Sequence, residues 1–191
     1  MRTFIAVDFP QNMLTKINEI TTYFKKETPT NALKWVQTDN LHLTLKFIGE
    51  IKESKVGQVK ETLTNALQGQ NAFNIQVGCL GMYPNKNNPR VIWLGIINEK
   101  PLIHIAKNLD QALTTLDIKP ERRAFSPHLT IARVRKNTDK ATAMLIGKTL
   151  SQFRVEPLGD VTVDQVNLYQ SKLTPSGPIY TILHTVCLNQ V

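Results

Sequence analysis

Two histidines and two threonines stand in the same pattern at two places 86 positions apart. His42 and Thr44 lie in the stretch LHLTLKF, and His128 and Thr130 lie in the stretch PHLTIAR. Histidine titrates near neutral pH, so one imidazole can remove a proton from an attacking water or hydroxyl while a second protonates the departing oxygen. Threonine hydroxyls can donate to the non-bridging oxygens of a phosphate. The pattern therefore indicates phosphoryl chemistry that requires no metal.

Both stretches have the alternation of a β-strand, in which residues two apart share a face. In the first stretch, the predicted core face holds Leu41, Leu43, Leu45 and Phe47. The predicted open face holds His42, Thr44 and Lys46. In the second stretch, Leu129 and Ile131 face the core, while His128 and Thr130 face outward together. One such strand would be an ordinary half-exposed strand, but two copies with matched flanks indicate a shared site.

Strands and helices can be assigned from the apolar periodicity on either side of these motifs. Helices are predicted over residues 11–26, 53–67, 101–116 and 138–150. Strands are predicted over residues 3–8, 33–36, 41–48, 73–80, 91–97, 128–134, 161–173 and 179–188. Strand pairs that alternate with single helices predict an α+β fold with antiparallel sheets. The motif strand occurs once in each half, so we interpret the chain as an internal duplication whose two lobes bring both motifs into one cleft.

The net charge and the cysteine content indicate which partners and which cellular compartment to expect. The chain has 191 residues and a net charge of +8, which favours anionic partners such as nucleic acid or nucleotides, although a merely basic surface explains the charge equally well. Cys79 and Cys187 are far apart in the sequence and belong to no C-x-x-C motif, which indicates two reduced thiols. The apolar stretch at residues 4–7 is too short for a signal peptide or a membrane span. We therefore expect a cytoplasmic protein that does not bind membranes.

Five stretches of the chain resemble one known family. They are RTFIAVDFP, LKWVQTDNLHLTLKFIGE, NPRVIWLGI, RRAFSPHLTIARV and VNLYQSKLTPSGPIYTIL. Together they resemble the two-histidine phosphoesterases, in particular the bacterial and archaeal RNA 2′,3′-cyclic phosphodiesterases, also called 2′-5′ RNA ligase-like proteins. By this resemblance His42 donates a proton to the leaving oxygen, His128 is the base that activates water, and Thr44 and Thr130 bind the substrate. The spacing alone leaves open which histidine is acid and which is base.

The resemblance also implies a fold and an activity. The expected fold is one bilobal domain over residues 1–191, with two pseudo-symmetric lobes, each an antiparallel sheet with helices on its outer face, and with both sheets facing a central cleft. The implied reaction hydrolyses the 2′,3′-cyclic phosphate of RNA ends or cyclic nucleotides to a 2′-phosphate, in a monomer without metal or cofactor. Two alternatives stay open: a 2′-5′ RNA ligase acting on tRNA halves, and a non-catalytic RNA-binding module.

Other side chains near the motifs allow two interpretations each. Lys46 could hold phosphate or be a solvated strand lysine. Strict alternation puts Arg133 on the core side, and only a bulge or a place at the sheet rim would bring it to the site. Phe125 could stack on an unpaired base or pack in the core. Trp35 and Trp93, in apolar strands, are expected in the core.

Overall fold

The computed structural model describes residues 1–28, 31–175 and 177–190, and within them the chain forms two antiparallel sheets and four α-helices. The helices are α1 (Gln11–Glu27), α2 (Val56–Ala66), α3 (Lys100–Ala112) and α4 (Lys140–Leu150). The strands are β1 (Arg2–Val7), β2 (Leu33–Trp35), β3 (Leu43–Glu50), β4 (Phe73–Tyr83), β5 (Val91–Ile97), β6 (His128–Val134), β7 (Asp160–Val163), β8 (Gln165–Thr174) and β9 (Gly177–Cys187). The predicted α+β class is confirmed.

The two sheets repeat the same arrangement of strands. The first sheet has the order β3-β1-β8-β9, and the second has the order β2-β6-β5-β4-β7. In the first sheet the motif strand β3 pairs with β1, the strand that precedes α1. In the second sheet the motif strand β6 pairs with β5, the strand that precedes α3. The predicted pair of pseudo-symmetric lobes is therefore confirmed, with β2 as an extra edge strand of the second.

Each lobe takes strands from both halves of the sequence. The first sheet receives β8 and β9 from the C-terminal end, and the second receives β2 and β4 from the N-terminal half. The single strand predicted over residues 161–173 is two strands, because β7 pairs with β4 in the second sheet and β8 pairs with β1 in the first. The chain thus passes from one lobe to the other at Asp164, and the lobes are tied together by chain connectivity.

The helices form because each places apolar residues three and four positions apart on one face. In α3 these are Leu102, Ile105 and Leu109, all fully buried. The helix α3 contacts β3, and α2 contacts β9, so these two helices cover the first sheet. The side chain of Asp139 accepts a hydrogen bond from the backbone N–H of Thr142 at 2.9 Å, which caps the N-terminus of α4.

One continuous hydrophobic cluster joins both lobes. It includes Leu43 and Leu45 of β3 and Leu129 and Ile131 of β6, all of them buried as predicted. This packing fixes the backs of the two motif strands, so that their polar faces point away from the core. None of the described helices is long and apolar enough to cross a membrane.

Candidate active site

The two motif histidines make the same hydrogen bond. His42 Nδ1 lies 2.9 Å from the carbonyl oxygen of Asn40, and His128 Nδ1 lies 2.7 Å from the carbonyl oxygen of Ser126. A carbonyl can only accept, so both Nδ1 atoms carry the proton, and each Nε2 is left free for chemistry. The equivalent partner is in both cases the backbone two residues upstream. The repeated sequence therefore fixes two imidazoles in the same tautomer.

The motif strands lie next to each other across the two lobes. Residues of β3 and β6 approach within 8 Å, Cα to Cα. Thr44 and Thr130 are half-buried, as are His42 and His128, whereas the leucines between them are fully buried. The structure thus places the four motif side chains, half-buried, on two strands that approach each other, and we call the region beside their polar faces the cleft.

Aromatic rings surround His42. Phe4 stacks on its imidazole with the ring centroids 4.7 Å apart, and Tyr180 meets it edge-on at 5.0 Å. This burial lowers the pKa of His42, while the bond to the Asn40 carbonyl and the charge of Asp8 oppose the shift. In the free protein His42 therefore favours the neutral form, and once protonated it gives up its proton more readily than an exposed histidine.

A small cavity of about 240 Å³ opens beside His42. Asp8 lies in its wall and accepts hydrogen bonds from Asn167 Nδ2 at 2.7 Å and from the Tyr169 hydroxyl at 2.5 Å. Burial, together with the bond to Asp8, raises the pKa of Tyr169 well above its ordinary value, so this phenol stays a donor. None of these residues was predicted, because Asp8 follows β1 and Asn167 and Tyr169 lie on β8, and both strands are distant from the motif in sequence.

A second aromatic pair surrounds His128. Tyr83 meets its ring edge-on at 5.2 Å, and Trp93 lies 6.1 Å away. The Trp93 ring covers Gly81 on the neighbouring strand, where a Cβ atom would come within 2.1 Å of the indole. Glycine at position 81 is therefore what lets the indole lie flat against the sheet. The prediction that Trp93 belongs to the core is wrong: it is half-buried and lies in the wall of the cleft.

Both motif strands carry a β-bulge one residue after the threonine. In β3 the partners of Ile5 and Ala6 are Lys46 and Thr44, so Leu45 is an extra residue. In β6 the partners of Ile92 and Trp93 are Ala132 and Thr130, so Ile131 is an extra residue. A bulge puts two successive side chains on one face and reverses the alternation beyond it.

The bulge in β3 turns Lys46 into the core. Lys46 is only 5% exposed, forms an ion pair with Asp110 of α3 and donates to the carbonyl oxygen of Lys119 at 2.9 Å. The prediction that Lys46 shares the face of His42 and Thr44, where it could hold phosphate, is therefore wrong. Phe47 was predicted in the core, and it is 59% exposed on the cleft side, with its ring centroid 6.2 Å from that of Phe4.

The bulge in β6 turns Arg133 out of the core. Arg133 is exposed opposite Val91, which lies two residues before Trp93 and on the same face of β5. Burial raises the pKa of Tyr180, and the nearby charges of Arg133 and Arg2 oppose that shift. The charge of Arg133, on the second sheet, therefore acts on Tyr180, whose ring meets that of His42. Strict alternation put Arg133 on the core side, and the bulge is what overturns that placement.

The remaining candidates have other surroundings. Phe125 is half-buried and packs against the hydrophobic core, in the segment that leads to His128. Trp35 is half-buried and packs against the same core, as predicted. Among the described residues, no group of three or more His, Cys, Asp or Glu side chains could hold a metal ion. The site thus offers two imidazoles, two hydroxyls and one guanidinium.

Known proteins share both the sequence and the fold. The family model described as LigT like Phosphoesterase matches this chain twice, over residues 7–93 and 94–180. A protein of Methanothermobacter thermautotrophicus named RNA 2′,3′-cyclic phosphodiesterase is 36% identical over 183 residues, which cover 95% of each chain. A protein of the same name from Thermotoga maritima is 35% identical over 184 residues, covering 96% of this chain and 94% of that protein.

Two solved structures have the same fold over the whole chain. The protein TT0787 of Thermus thermophilus superposes with a TM-score of 0.80 at 26% identity, covering 100% of this chain and 99% of that one. E. coli LigT complexed with 3′-AMP superposes with a TM-score of 0.75 at 26% identity, covering 99% and 98%. These similarities extend over both sheets and both His-x-Thr strands.

Proposed function

The chain belongs to the family of LigT-like phosphoesterases, and we propose that it is an RNA 2′,3′-cyclic phosphodiesterase that hydrolyses the cyclic phosphate of an RNA end to a 2′-phosphate. One observation carries the proposal beyond the family. The two imidazoles are held through Nδ1 by matched backbone carbonyls, which leaves each Nε2 for proton transfer. Simple RNA binding needs no such pair of titrating groups.

The reaction is a single displacement at phosphorus. His128 Nε2 takes a proton from a water molecule as the water oxygen forms a bond to phosphorus. The bond from phosphorus to the 3′ oxygen breaks, and that oxygen receives a proton from His42 Nε2. One water is consumed, and the products are a 2′-phosphate and a 3′-hydroxyl. Thr44 and Thr130 donate to the non-bridging oxygens, and Arg133 offsets their negative charge.

The surroundings of His42 support its role as the acid. A lowered pKa makes the protonated imidazole a stronger proton donor, and the approach of an anionic phosphate favours the protonated form that burial disfavours in the free protein. Asp8 contributes in the same direction. Substrate binding thus favours the protonated form of His42, which donates a proton to the leaving 3′ oxygen.

A chemical variant of the substrate can test the two roles separately. If sulfur replaces the bridging 3′ oxygen, the leaving group departs as a thiolate and needs little protonation. The His42→Ala variant should then recover most of its lost turnover on the sulfur substrate, whereas His128→Ala should not, because water still has to be deprotonated. Recovery of His128→Ala instead would reverse the assignment of acid and base.

The activity itself is tested with a short RNA oligonucleotide that ends in a 2′,3′-cyclic phosphate. Incubation with the protein should give one product, heavier by one water, whose terminal phosphate is removed by a phosphomonoesterase and sits on the 2′ oxygen. A 3′-phosphate product would contradict the proposed leaving group. Adding an RNA with a free 5′-hydroxyl tests the alternative: joined 2′-5′ product in place of hydrolysis would identify a ligase.

We further propose that the protein is a cytoplasmic monomer that folds as one bilobal domain over residues 1–191, built by duplication. The two consecutive matches of the family model support the duplication, and the continuous core supports one folding unit. Because a single chain supplies both histidines of the cleft, the proposed chemistry needs no second subunit. The free thiols Cys79 and Cys187 are compatible with a reducing compartment.

A further inference from the structure

A larger cavity, about 840 Å³ in volume, lies beside β3 and outside the cleft. Residues 46–55 form one wall, and residues 116–123, which lead from α3 toward β6, form the other. The solvent-accessible cations of the two walls are Lys52, Lys55, Lys119, Arg122 and Arg123. The cavity is within the size range of roughly 300–1,000 Å³ that is typical of ligand sites.

Phe47 connects this cavity to the cleft. It lines the cavity, and its ring lies 6.2 Å from that of Phe4, which in turn stacks on His42. The side chain is 59% exposed because the bulge at Leu45 turns it away from the core. An exposed aromatic ring on the path from a catalytic histidine to a basic cavity is suited to stacking on a nucleobase.

The wall formed by residues 116–123 is anchored to α3 and β3. The carboxylate of Asp110 on α3 pairs with Lys46 and accepts from the backbone N–H of Glu121 at 3.0 Å, while Lys46 also donates to the carbonyl oxygen of Lys119. These bonds tie the segment before Arg122 to the motif strand itself. The segment that leads to Arg122 and Arg123 is therefore anchored on β3 and α3.

Most of these cations have no acidic partner. Lys55 lies 3.7 Å from Asp117, but within the described part of the chain no salt bridge involves Lys52, Lys119, Arg122 or Arg123. Three acidic residues, Glu50, Asp117 and Glu121, also line the cavity, but the five accessible cations outnumber them, and this excess raises the local positive potential and attracts a polyanion. Their ligand should therefore carry several negative charges along its length.

We propose that this cavity binds the RNA chain on the 5′ side of the cyclic end, with a base stacked on Phe47 and backbone phosphates held by Arg122 and Arg123. The inference rests on the proposed function and adds to it that the preferred substrate is a polynucleotide, since a cyclic mononucleotide fills the cleft but leaves the cavity empty. The two lobes differ at this point: Phe47 and Arg133 occupy equivalent positions after the two bulges, and the large cavity adjoins Phe47.

The test compares kcat/KM for 2′,3′-cyclic AMP with kcat/KM for an RNA tetranucleotide that ends in the same cyclic nucleotide. The double variant Arg122→Ala/Arg123→Ala should lower the ratio of oligonucleotide to mononucleotide about tenfold, and Phe47→Ala should lower it to a similar extent. The salt dependence of the oligonucleotide reaction should lose about 1.4 units of log–log slope in the arginine variant, roughly 0.7 for each phosphate contact on a single strand. The control Lys140→Ala/Lys148→Ala, which removes two exposed cations from α4, should keep the wild-type ratio and slope.

The outcomes separate this inference from the proposed function. If wild-type protein opens neither substrate, the proposed function fails. If it opens both and the ratio is unchanged in Arg122→Ala/Arg123→Ala and Phe47→Ala, the cavity does not bind RNA and this inference is overturned. A fall of the same size with both substrates, at an unchanged circular dichroism spectrum, also overturns it, because the residues would then act on the cleft and not on the upstream chain.

Discussion

Replacing Lys46 by methionine should destabilise the protein and leave its chemistry nearly intact. The methionine keeps most of the apolar stem but removes the ion pair with Asp110 and the hydrogen bond to the Lys119 carbonyl. Breaking a fully buried pair costs about 3–5 kcal/mol, and because Asp110 is still 22% exposed we expect about 2 kcal/mol here. For a chain of this length that corresponds to a fall in Tm of roughly 4–8 °C.

The matched variant Arg133→Met should behave in the opposite way. Arg133 is exposed, so its removal should change Tm by no more than about 2 °C, since surface substitutions are usually within about 0.5 kcal/mol. Its loss should lower kcat/KM for a cyclic nucleotide about tenfold or more, the typical value of one hydrogen bond to a charged group. Simple alternation assigns Lys46 to the open face and Arg133 to the core side, and the structure has them the other way round.

Thermal melts followed by circular dichroism, and initial rates at 25 °C, measure both quantities for both variants. Asp110→Asn serves as a control, because it breaks the same pair from the other side and should give a similar loss of stability. If Lys46→Met kept the wild-type Tm and lost turnover, the lysine would reach the phosphate. The bulge at Leu45, which turns Lys46 into the core, would then be contradicted.

Three further outcomes are expected from the geometry of the cleft. Thr44→Val and Thr130→Val should each lower kcat roughly 100-fold at unchanged Tm, because each removes a donor to the developing charge on phosphate; unchanged kinetics in both variants would mean that the hydroxyls do not contact it. One of the two limbs of the kcat/KM profile should lie below pH 6.5, because burial lowers the pKa of His42. Phe4→Ala exposes the imidazole and should move that limb to higher pH, and a limb that stays in place would exclude His42 as its origin. Activity should survive an excess of chelator, since imidazoles, hydroxyls and a guanidinium can supply every proposed step; loss on chelation that a divalent ion restores would contradict this mechanism.

The repeated motif allowed much of the site to be predicted from the sequence. Strand alternation correctly put Leu43, Leu129 and the motif threonines on opposite faces, and this depends only on local backbone geometry. The same rule failed beyond Leu45 and Ile131, where a bulge reverses the faces. A bulge is a property of the register between two strands, and a single strand's sequence carries little sign of it.

Long-range pairing explains the other differences. Phe4, Tyr169 and Tyr180 come to His42 only because β1 pairs with both β3 and β8, and β8 with β9. Nothing in the local sequence of these strands indicates that their aromatic residues face a cleft and not the core. The exchange of strands between the lobes is likewise set by the packing of the whole chain, and the strand predicted over residues 161–173 was divided for that reason.

The most direct test of the two-histidine mechanism is a double-variant cycle on a 2′,3′-cyclic phosphate substrate. His42→Ala and His128→Ala should each lower kcat/KM by several orders of magnitude, and the double variant should be little worse than either, because both residues serve one displacement. All three variants should stay folded by circular dichroism, since both side chains lie on open faces. Either single variant retaining near-wild-type turnover while folded would contradict the mechanism.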